Sequence, residues 1–397
     1  MQPYKKSATS PIIKRTKSRL IFAFLQINYW IEALKVYKSF QKARLSLKKL
    51  SEVKKKYFGR KRLGKIARVD GKYYWVAGGP ALFSPALKTF IRVGLNKMLP
   101  YVTEDDGLQV LFLAITRKCP LRCEHCFEGE NLGSEEVLSF DDLTNIINYF
   151  QERGVAQIQF SGGEPMSRFS DLVNLLKASK PGTDFWMNTS GFQLNDKRAQ
   201  ELKSAGLTGC IISLDHFRAS DHNQFRRNPL AYGWAIDATS ATVKASMPVT
   251  LSLCATRDFI SMDNLLSYAA LAKDLGVTFI QLLEPKATGF YKNKDVILHR
   301  PQKLILEEFY WKMNFEPQYR YWPIVNYFEF HKQAINCGGA GDRFLYINSK
   351  GHIQACPFCE KSFGQVLKTN TTATIRNMQK TGCTATLSME EAANHSF

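Results

Sequence analysis

The sequence predicts an α/β fold, in which a partial barrel of six β/α units of the TIM type carries a basic helical N-terminal extension and a small C-terminal cysteine-bearing domain. From about residue 108, short apolar runs alternate with amphipathic stretches closed by glycine, as in repeated strand and helix units. The unusual motifs all follow the end of a predicted strand, where the functional loops of α/β barrels gather. The three predicted regions are residues 1–106, 107–327 and 328–397.

The N-terminal region is strongly basic. Residues 1–100 contain 24 Lys and Arg against three acids, a net charge of +21, whereas the rest of the chain is close to neutral. The apolar run at residues 20–31 lacks the features of a secretory signal, and it is shorter than the roughly 20 residues that span a bilayer. An apolar helix beside a polybasic segment predicts docking on an anionic membrane surface. Packing of this helix against the barrel and nucleic-acid binding are the alternatives.

Six strands are predicted for the barrel, at residues 110–116, 156–162, 184–190, 209–215, 249–255 and 279–285. The stretch between the first two shows the helical pattern clearly: Ser139 and Asp142 form a capping box, and Gly154 suits a helix C-terminus. Consecutive units with short loops produce a curled parallel sheet with helices outside. Before the barrel, the Asp70-Gly71 pair in "RVDGKYYWV" predicts a β-hairpin.

Three cysteines follow the first barrel strand in "KCPLRCEHCFEGE". Cys119, Cys123 and Cys126 have the spacing C-x3-C-x2-C, which suits an iron-sulfur cluster or zinc. Zinc would need a fourth ligand, for which His125 is the nearest candidate. A [4Fe-4S] cluster with three protein thiolates keeps one iron open for an outside ligand, and this explains why no fourth cysteine follows.

The cysteine loop, followed 34 residues after Cys126 by "FSGGEP", resembles the radical S-adenosylmethionine (radical SAM) enzymes over residues 108–285. The resemblance implies that Cys119, Cys123 and Cys126 hold a catalytic [4Fe-4S] cluster whose open iron binds S-adenosylmethionine. It further implies reductive cleavage of S-adenosylmethionine to a 5′-deoxyadenosyl radical, which removes hydrogen from a substrate C–H bond. A one-electron donor such as flavodoxin or ferredoxin is then an expected partner.

The family's motifs also assign residues to the methionine end of the cofactor. Glu164 is expected to pair with the methionine amino group and to matter more for cofactor binding than for folding. Gly162 and Gly163 would let the backbone come close, and Arg226 matches an arginine near the methionine carboxylate.

Other positions match the family at the nucleoside end. Ser213 and Asp215 in "ISLDH" correspond to residues that contact the ribose, and His125 and Phe127 flank the last cysteine where adenine is often contacted. The loop after the third strand reads "MNTSG" rather than the usual Thr-Asn-Gly, and Ser190 is the expected cofactor contact there.

The C-terminal region carries a second group of cysteines. Cys337, Gly351 and Cys356 are spaced C-x13-G-x4-C, which resembles the twitch and SPASM extensions that hold auxiliary [4Fe-4S] clusters. The resemblance implies one auxiliary cluster on Cys337, Cys356, Cys359 and Cys383, and a structural zinc on the same ligands is the alternative. The segment "FLYINSKGHIQA" predicts a hairpin with its turn at residues 349–351.

An odd number of cysteines at metal-ligand spacings indicates a reducing cytoplasm, with peripheral attachment to the inner face of the membrane through the basic N-terminus. The expected function is radical SAM oxidation or modification of a small molecule, a lipid-associated metabolite or a peptide. The alternative is a non-catalytic, membrane-associated iron-sulfur protein for electron transfer or scaffolding. The presence of Glu164 disfavours that alternative, because an electron carrier does not need an amino-acid-binding carboxylate.

Overall fold

A computed structural model describes residues 10–58, 64–102, 108–330 and 339–382. Its α-helices are α1 (Arg15–Tyr37), α2 (Phe40–Phe58), α3 (Pro85–Met98), α4 (Phe140–Glu152), α5 (Phe169–Ala178), α6 (Asp196–Ala205), α7 (Ala219–Arg226), α8 (Ala231–Lys244), α9 (Met262–Asp274), α10 (Arg300–Phe315) and α11 (Thr371–Thr381). Its strands are β1 (Ala67–Val69), β2 (Lys72–Tyr74), β3 (Val110–Thr116), β4 (Gln157–Gly162), β5 (Asp184–Thr189), β6 (Leu207–Ser213), β7 (Val249–Cys254), β8 (Phe279–Leu283), β9 (Ile324–Tyr327), β10 (Phe344–Ile347), β11 (His352–Gln354) and β12 (Ser362–Gln365).

One large sheet organises the chain, with the strand order β12-β11-β10-β3-β4-β5-β6-β7-β8-β9. The six predicted strands are β3 to β8, and all neighbours among them pair in parallel, which confirms the predicted α/β class with a curled parallel sheet. Two further strands extend the parallel part, because β9 pairs with β8 and β10 pairs with β3. The sequence did not predict these pairings, since β9 has only four residues and the pairing of β10 is not local.

Helix α4 shows how the local sequence sets an element. Ser139 caps its first turn by accepting a hydrogen bond from the Asp142 N–H at 3.0 Å, while the Asp142 carboxylate accepts from the Ser139 N–H at 2.9 Å. Gly154, just past the helix, has a φ of 78°, which a residue without Cβ adopts at no steric cost. The apolar face is buried against the sheet, as predicted, and consists of Leu143, Ile146, Ile147 and Phe150.

The N-terminal region covers the N-terminal ends of the barrel strands. The predicted hairpin is confirmed as β1 and β2, and Tyr74 of β2 packs in one cluster with Phe279 and Ile324, the first residues of β8 and β9. The N–H of Ala81 donates to the carboxylate of Asp184, where β5 begins, at 3.2 Å. This end of the sheet is therefore closed, and the opposite end remains for the site.

Helices α1, α2 and α3 pack together outside that closure around a separate apolar cluster. Lys65 ties this layer to the barrel, because its buried ammonium donates to the carbonyls of Met313, Tyr319 and Trp322 at 2.6 to 3.1 Å. Among the helices that the structure describes, none combines the length and the apolar character needed to cross a membrane.

The C-terminal segment continues the main sheet. Strands β10 and β11 form the predicted antiparallel hairpin, with Gly351 at a φ of 83° in its turn, and β12 pairs with β11. Because β10 lies parallel to β3, the turn of this hairpin is brought to the same edge of the sheet as the cysteine loop after β3, and β11 then runs back along β10.

Candidate active site at the C-terminal edge of the sheet

The three cysteines lie in a compact loop directly after β3. The Cys126 N–H donates to the Cys123 carbonyl at 3.2 Å, which closes a tight turn between these two residues. All three thiols pack in one small cluster beside Leu121 and the first turn of α8. The structure therefore brings together the three residues that the spacing predicts as one binding set.

Two of these thiols, those of Cys119 and Cys126, have a raised pKa. Burial, followed by the charge of Glu164, raises the pKa of Cys119 to about 12, and burial together with Cys123 raises the pKa of Cys126 to about 11. Thiols with a raised pKa become thiolates when positive charge is placed beside them, which the iron of a cluster would provide. Within the described part of the chain, no three His, Cys, Asp or Glu side chains converge on a position for a single metal ion. The donor set itself, three sulfurs and no oxygen, fits an iron-sulfur cluster.

The glycines of "SGGEP" hold the cysteine loop by close backbone contact. A Cβ on Gly162 would lie 2.5 Å from the Thr116 carbonyl oxygen, and one on Gly163 would lie 2.3 Å from the Lys118 carbonyl oxygen. The N–H groups of Gly163 and Glu164 donate to these same two carbonyls at 2.9 and 2.7 Å. Only glycine permits this approach, so the motif fixes the backbone immediately before Cys119.

The Glu164 carboxylate is buried and accepts four hydrogen bonds. Its Oε1 accepts from the Met166 N–H at 3.1 Å and from the Thr189 hydroxyl at 2.7 Å, and its Oε2 accepts from the N–H and the hydroxyl of Ser190 at 2.7 and 2.5 Å. Burial raises the pKa of Glu164, and the hydrogen bonds from Ser190 and Thr189 oppose that rise. Glu164 therefore joins the loop after β4 to the loop after β5, a structural role that the sequence did not predict. Its pairing with a methionine amino group stays a prediction.

Asp215 and Arg226 form a buried ion pair beside the cysteines. Arg226 contacts the Asp215 carboxylate at 2.6 Å through Nε and at 2.5 Å through Nη2, and its Nη1 lies 3.5 Å from the Cys123 sulfur. Burial opposes ionisation of Asp215, but the charge of Arg226 more than offsets it, so the pKa of Asp215 is lowered. Asp215 also accepts from the Cys254 N–H at 3.1 Å, which ties β6 to β7.

His125 and Phe127 flank Cys126 in the sequence and contact different aromatic residues. His125 stacks on Phe225 with centroids 4.8 Å apart, and burial lowers its pKa to about 4, so that the ring is neutral. Its Nδ1 is buried and has no hydrogen-bond partner among the described residues, which leaves one polar atom for a bound group. Ser213 is half-buried at the last position of β6. The adenine and ribose contacts of these residues stay predictions.

The second group of cysteines is described in part. Cys356 and Cys359 lie in a turn after β11, where the Cys359 N–H donates to the Cys356 carbonyl at 3.1 Å, while Cys337 and Cys383 lie outside the described residues. Phe127 reaches this turn from the first cysteine loop, with its ring 5.8 Å from that of Phe358. The two cysteine segments are thus neighbours through this ring contact, and Phe127 also packs edge-on against Tyr346 of β10.

The sequence missed residues after β8 and β9 that complete this edge. A Cβ on Gly289 would lie 2.1 Å from the Cys126 carbonyl oxygen, and the Phe290 N–H donates to that oxygen at 3.0 Å. Glu284, just after β8, is buried and accepts from the Tyr327 hydroxyl at 2.6 Å, with Lys286 at 3.9 Å. No motif surrounds these residues in the sequence, and the predicted strand at residues 279–285 included Glu284.

Comparison with known proteins assigns the segment that carries this site to a family. Residues 113–268 match the family model of the Radical SAM superfamily. This segment is a radical SAM domain. The chain is 26% identical over 298 residues to an AdoMet-dependent heme synthase of Oleidesulfovibrio alaskensis, covering 68% of this chain and 76% of that protein. It is 30% identical over 190 residues to a GTP 3′,8-cyclase of Moorella thermoacetica, covering 46% of this chain and 58% of that protein.

Solved structures share the fold of this chain over about 70% of its length. Streptococcus suis SuiB bound to the precursor peptide SuiA matches with a TM-score of 0.56 at 14% identity, over 71% of this chain and 69% of that one. Native anSMEcpe with bound AdoMet matches with a TM-score of 0.54 at 14% identity, over 69% of this chain and 82% of that one. The α/β fold that carries the site is therefore the fold of these proteins.

Proposed function

We propose that this chain is a radical SAM enzyme in which Cys119, Cys123 and Cys126 hold a [4Fe-4S] cluster and the neighbouring loops bind S-adenosylmethionine. When bound, such a cluster supplies the electron that cleaves S-adenosylmethionine and so provides a 5′-deoxyadenosyl radical for removing a substrate hydrogen. The observation that carries the proposal is that the backbone immediately before Cys119 is joined to the "SGGEP" turn by hydrogen bonds of 2.7 and 2.9 Å. This arrangement lies in the segment that matches the radical SAM family.

Arg226 contributes fixed positive charge to this site. Its guanidinium is held by Asp215 and faces the Cys123 sulfur, 3.5 Å from Nη1. After these contacts among the described residues, two of the five N–H groups of a guanidinium remain for a carboxylate. We infer that they bind the carboxylate of the methionine moiety, while the unpartnered Nδ1 of His125 contacts the nucleoside.

We further propose an auxiliary [4Fe-4S] cluster on the second group of cysteines, with Cys356 and Cys359 as two of its ligands. The turn that carries them resembles the first cysteine loop in its local hydrogen bonding, since an N–H of the later cysteine donates to the carbonyl of the earlier one. Cys337 and Cys383 are the proposed remaining ligands. The aromatic contact between Phe127 and Phe358 supports a close spacing of the two sites.

The substrate is proposed to bind where β8 and β9 end. A polar group at this edge consists of Glu284, Tyr327 and Lys286. Glu284 is buried, and the proposed cofactor contacts do not use it. Relatives that match this chain are named for GTP cyclisation and for heme synthesis, so the shared loops do not fix the substrate. We infer a polar substrate, a small molecule or a peptide, that these three side chains orient toward the cysteine loop.

Anaerobic purification with iron and sulfide analysis, followed by reduction in the presence of S-adenosylmethionine, tests the proposal. We expect about eight iron atoms per chain, four for each cluster, and release of 5′-deoxyadenosine. Cys123→Ala should remove about four irons and all cleavage, whereas the matched variant Cys210→Ala, at a buried apolar position of β6, should keep both. Zinc in place of iron would refute the proposal, and a reducible cluster that never cleaves S-adenosylmethionine would favour a non-catalytic electron-transfer protein.

A further inference from the structure

Helix α1 exposes a continuous apolar stripe. Five of its large side chains are between 42% and 63% exposed, and they recur at spacings of four, three, four and three residues: Leu20, Phe24, Ile27, Ile31 and Leu34. At 1.5 Å per residue they cover about 21 Å along one side of the helix. Isolated exposed apolar residues are common on proteins, but a contiguous row of this kind indicates a surface that binds something.

The stripe is separate from the packing that holds α1 in place. The opposite side of the helix, including Leu25, Tyr29 and Ala33, is buried against α3 through residues such as Ile91 and Leu95. Helix α1 is therefore apolar on two sides, of which the fold uses one. Phe40, at the start of α2, is 63% exposed and stacks on Trp30, which extends the exposed apolar surface beyond α1.

A groove with basic walls runs beside the stripe, between α1 and α2. It has a volume of about 920 Å³ and an aromatic floor that includes Tyr29, Trp30 and Trp75. No Asp or Glu is among the described residues that line it, whereas six cations do: Arg15, Arg19, Arg44, Lys48, Lys54 and Lys55. Amphipathic surfaces of this composition match an apolar medium bounded by anionic groups.

The local charge has little internal compensation. Residues 15–58 contain twelve Lys and Arg against two acids. One of these acids, Glu32, is buried and paired with Arg92 at 2.8 Å and with Lys35 at 3.3 Å, so its charge offsets these two cations and not those that line the groove. The exposed side of the α1–α2 hairpin is thus both apolar and strongly positive.

From these observations we infer that the exposed side of the α1–α2 hairpin docks the protein on an anionic lipid bilayer, with the stripe in the interfacial region and the groove cations on the lipid phosphates. A nucleic acid would neutralise the cations but would leave the five apolar side chains in water. A second copy could pair its stripe at the same heptad spacing, but it would place Lys17, Arg19 and Lys35 of both chains close together. Of these three occupants, the anionic bilayer is the one that satisfies both features.

The fold also determines how the docked enzyme would be oriented. The N-terminal region closes the N-terminal end of the barrel strands, and the cysteine loop lies at their C-terminal end. Docking through the hairpin therefore leaves the cysteine loop on the side away from the bilayer. Loss of docking should consequently leave the release of 5′-deoxyadenosine in solution unchanged.

Vesicle flotation with the full-length protein tests this inference. We expect binding to vesicles containing phosphatidylglycerol but not to pure phosphatidylcholine, and weaker binding as salt is raised. The double variant Phe24→Ser/Ile27→Ser should weaken binding by about 100-fold or more, since it removes two large apolar side chains from the lipid boundary. The triple variant Arg44→Gln/Lys48→Gln/Lys55→Gln should also weaken it by about 100-fold.

Matched controls separate these effects from general changes. The control for the stripe is Leu230→Ser/Leu304→Ser, two apolar residues that are 59% and 47% exposed elsewhere on the protein. The control for the cations is Lys177→Gln/Lys197→Gln/Lys368→Gln, at exposed positions outside the hairpin. Both control variants should float like the unmodified protein, and all variants should melt at similar temperatures because every replaced side chain is exposed.

Four results would overturn the inference. One is an absence of vesicle binding at physiological salt, and another is equal binding of the stripe variant. A third is that the unmodified protein does not bind vesicles but forms a dimer in analytical ultracentrifugation, and that the stripe variant abolishes this dimer. That result would assign the surface to a second copy. The fourth is tight binding of a single-stranded oligonucleotide that depends on the cations but not on the stripe, again without vesicle binding.

Discussion

Replacing Glu164 with glutamine should destabilise the fold as well as weaken cofactor binding. Each carboxylate oxygen accepts one backbone N–H, from Met166 on Oε1 and from Ser190 on Oε2. A glutamine side chain has one oxygen and one NH2 group, so either orientation points the NH2 group at a backbone N–H. The hydroxyls of Thr189 and Ser190 can rotate to accept instead, but a backbone N–H cannot reverse.

The magnitude follows from these contacts. A buried donor left without an acceptor costs about 1–3 kcal/mol, and the hydrogen bonds to the former carboxylate lose their charge assistance. We therefore expect Glu164→Gln to lower the free energy of unfolding by about 2–4 kcal/mol. The effect should be coupled to Ser190, because that residue supplies two of the four donors.

Urea unfolding followed by tryptophan fluorescence measures this loss, with Glu201→Gln on the exposed face of α6 as the matched control. A double-mutant cycle with Ser190→Ala should give a coupling energy of about 1–2 kcal/mol. Surface substitutions usually change the free energy of unfolding by less than about 0.5 kcal/mol. If Glu164→Gln changes it by no more than that, the structural role assigned to Glu164 is wrong.

Three further predictions concern the same edge of the sheet. Gly163→Ala should reduce bound iron severalfold, because the new methyl group meets backbone at 2.3 Å, while Gly233→Ala, with nothing within 4 Å, should retain it. Arg226→Gln should lower the free energy of unfolding by about 3–5 kcal/mol, because it leaves Asp215 charged and unpaired in the interior. The pKa of Asp215 is lowered in the folded state, so the ionised carboxylate stabilises the fold fully above its unfolded pKa of about 4. This stabilisation is lost as the pH falls through the folded pKa. Arg226→Gln should therefore lose less stability than the unmodified protein when both are titrated with acid. Cys356→Ala should remove about four irons yet leave the cleavage of S-adenosylmethionine measurable by release of 5′-deoxyadenosine.

Local sequence determined the elements and the identity of the binding loops. The six barrel strands, the capping box at Ser139 and the hairpin turn at Asp70-Gly71 were all predictable, because each depends on residues within a few positions of one another. The spacing of Cys119, Cys123 and Cys126 predicted a shared site for the same reason, and the regular order of strands predicted that the loops after them would meet.

Only the tertiary structure decided which side chains face one another across that edge. The four donors to Glu164 come from the adjoining turn and from the loop after β5, Arg226 reaches Cys123 from α7, and Gly289 comes against Cys126 from beyond β8. None of these contacts has a local pattern, because each depends on strand register and on the distance between backbones that are far apart in sequence. The same reason separates the two sides of α1: composition showed that the helix is apolar, but packing against α3 decided which side is buried and left the other exposed.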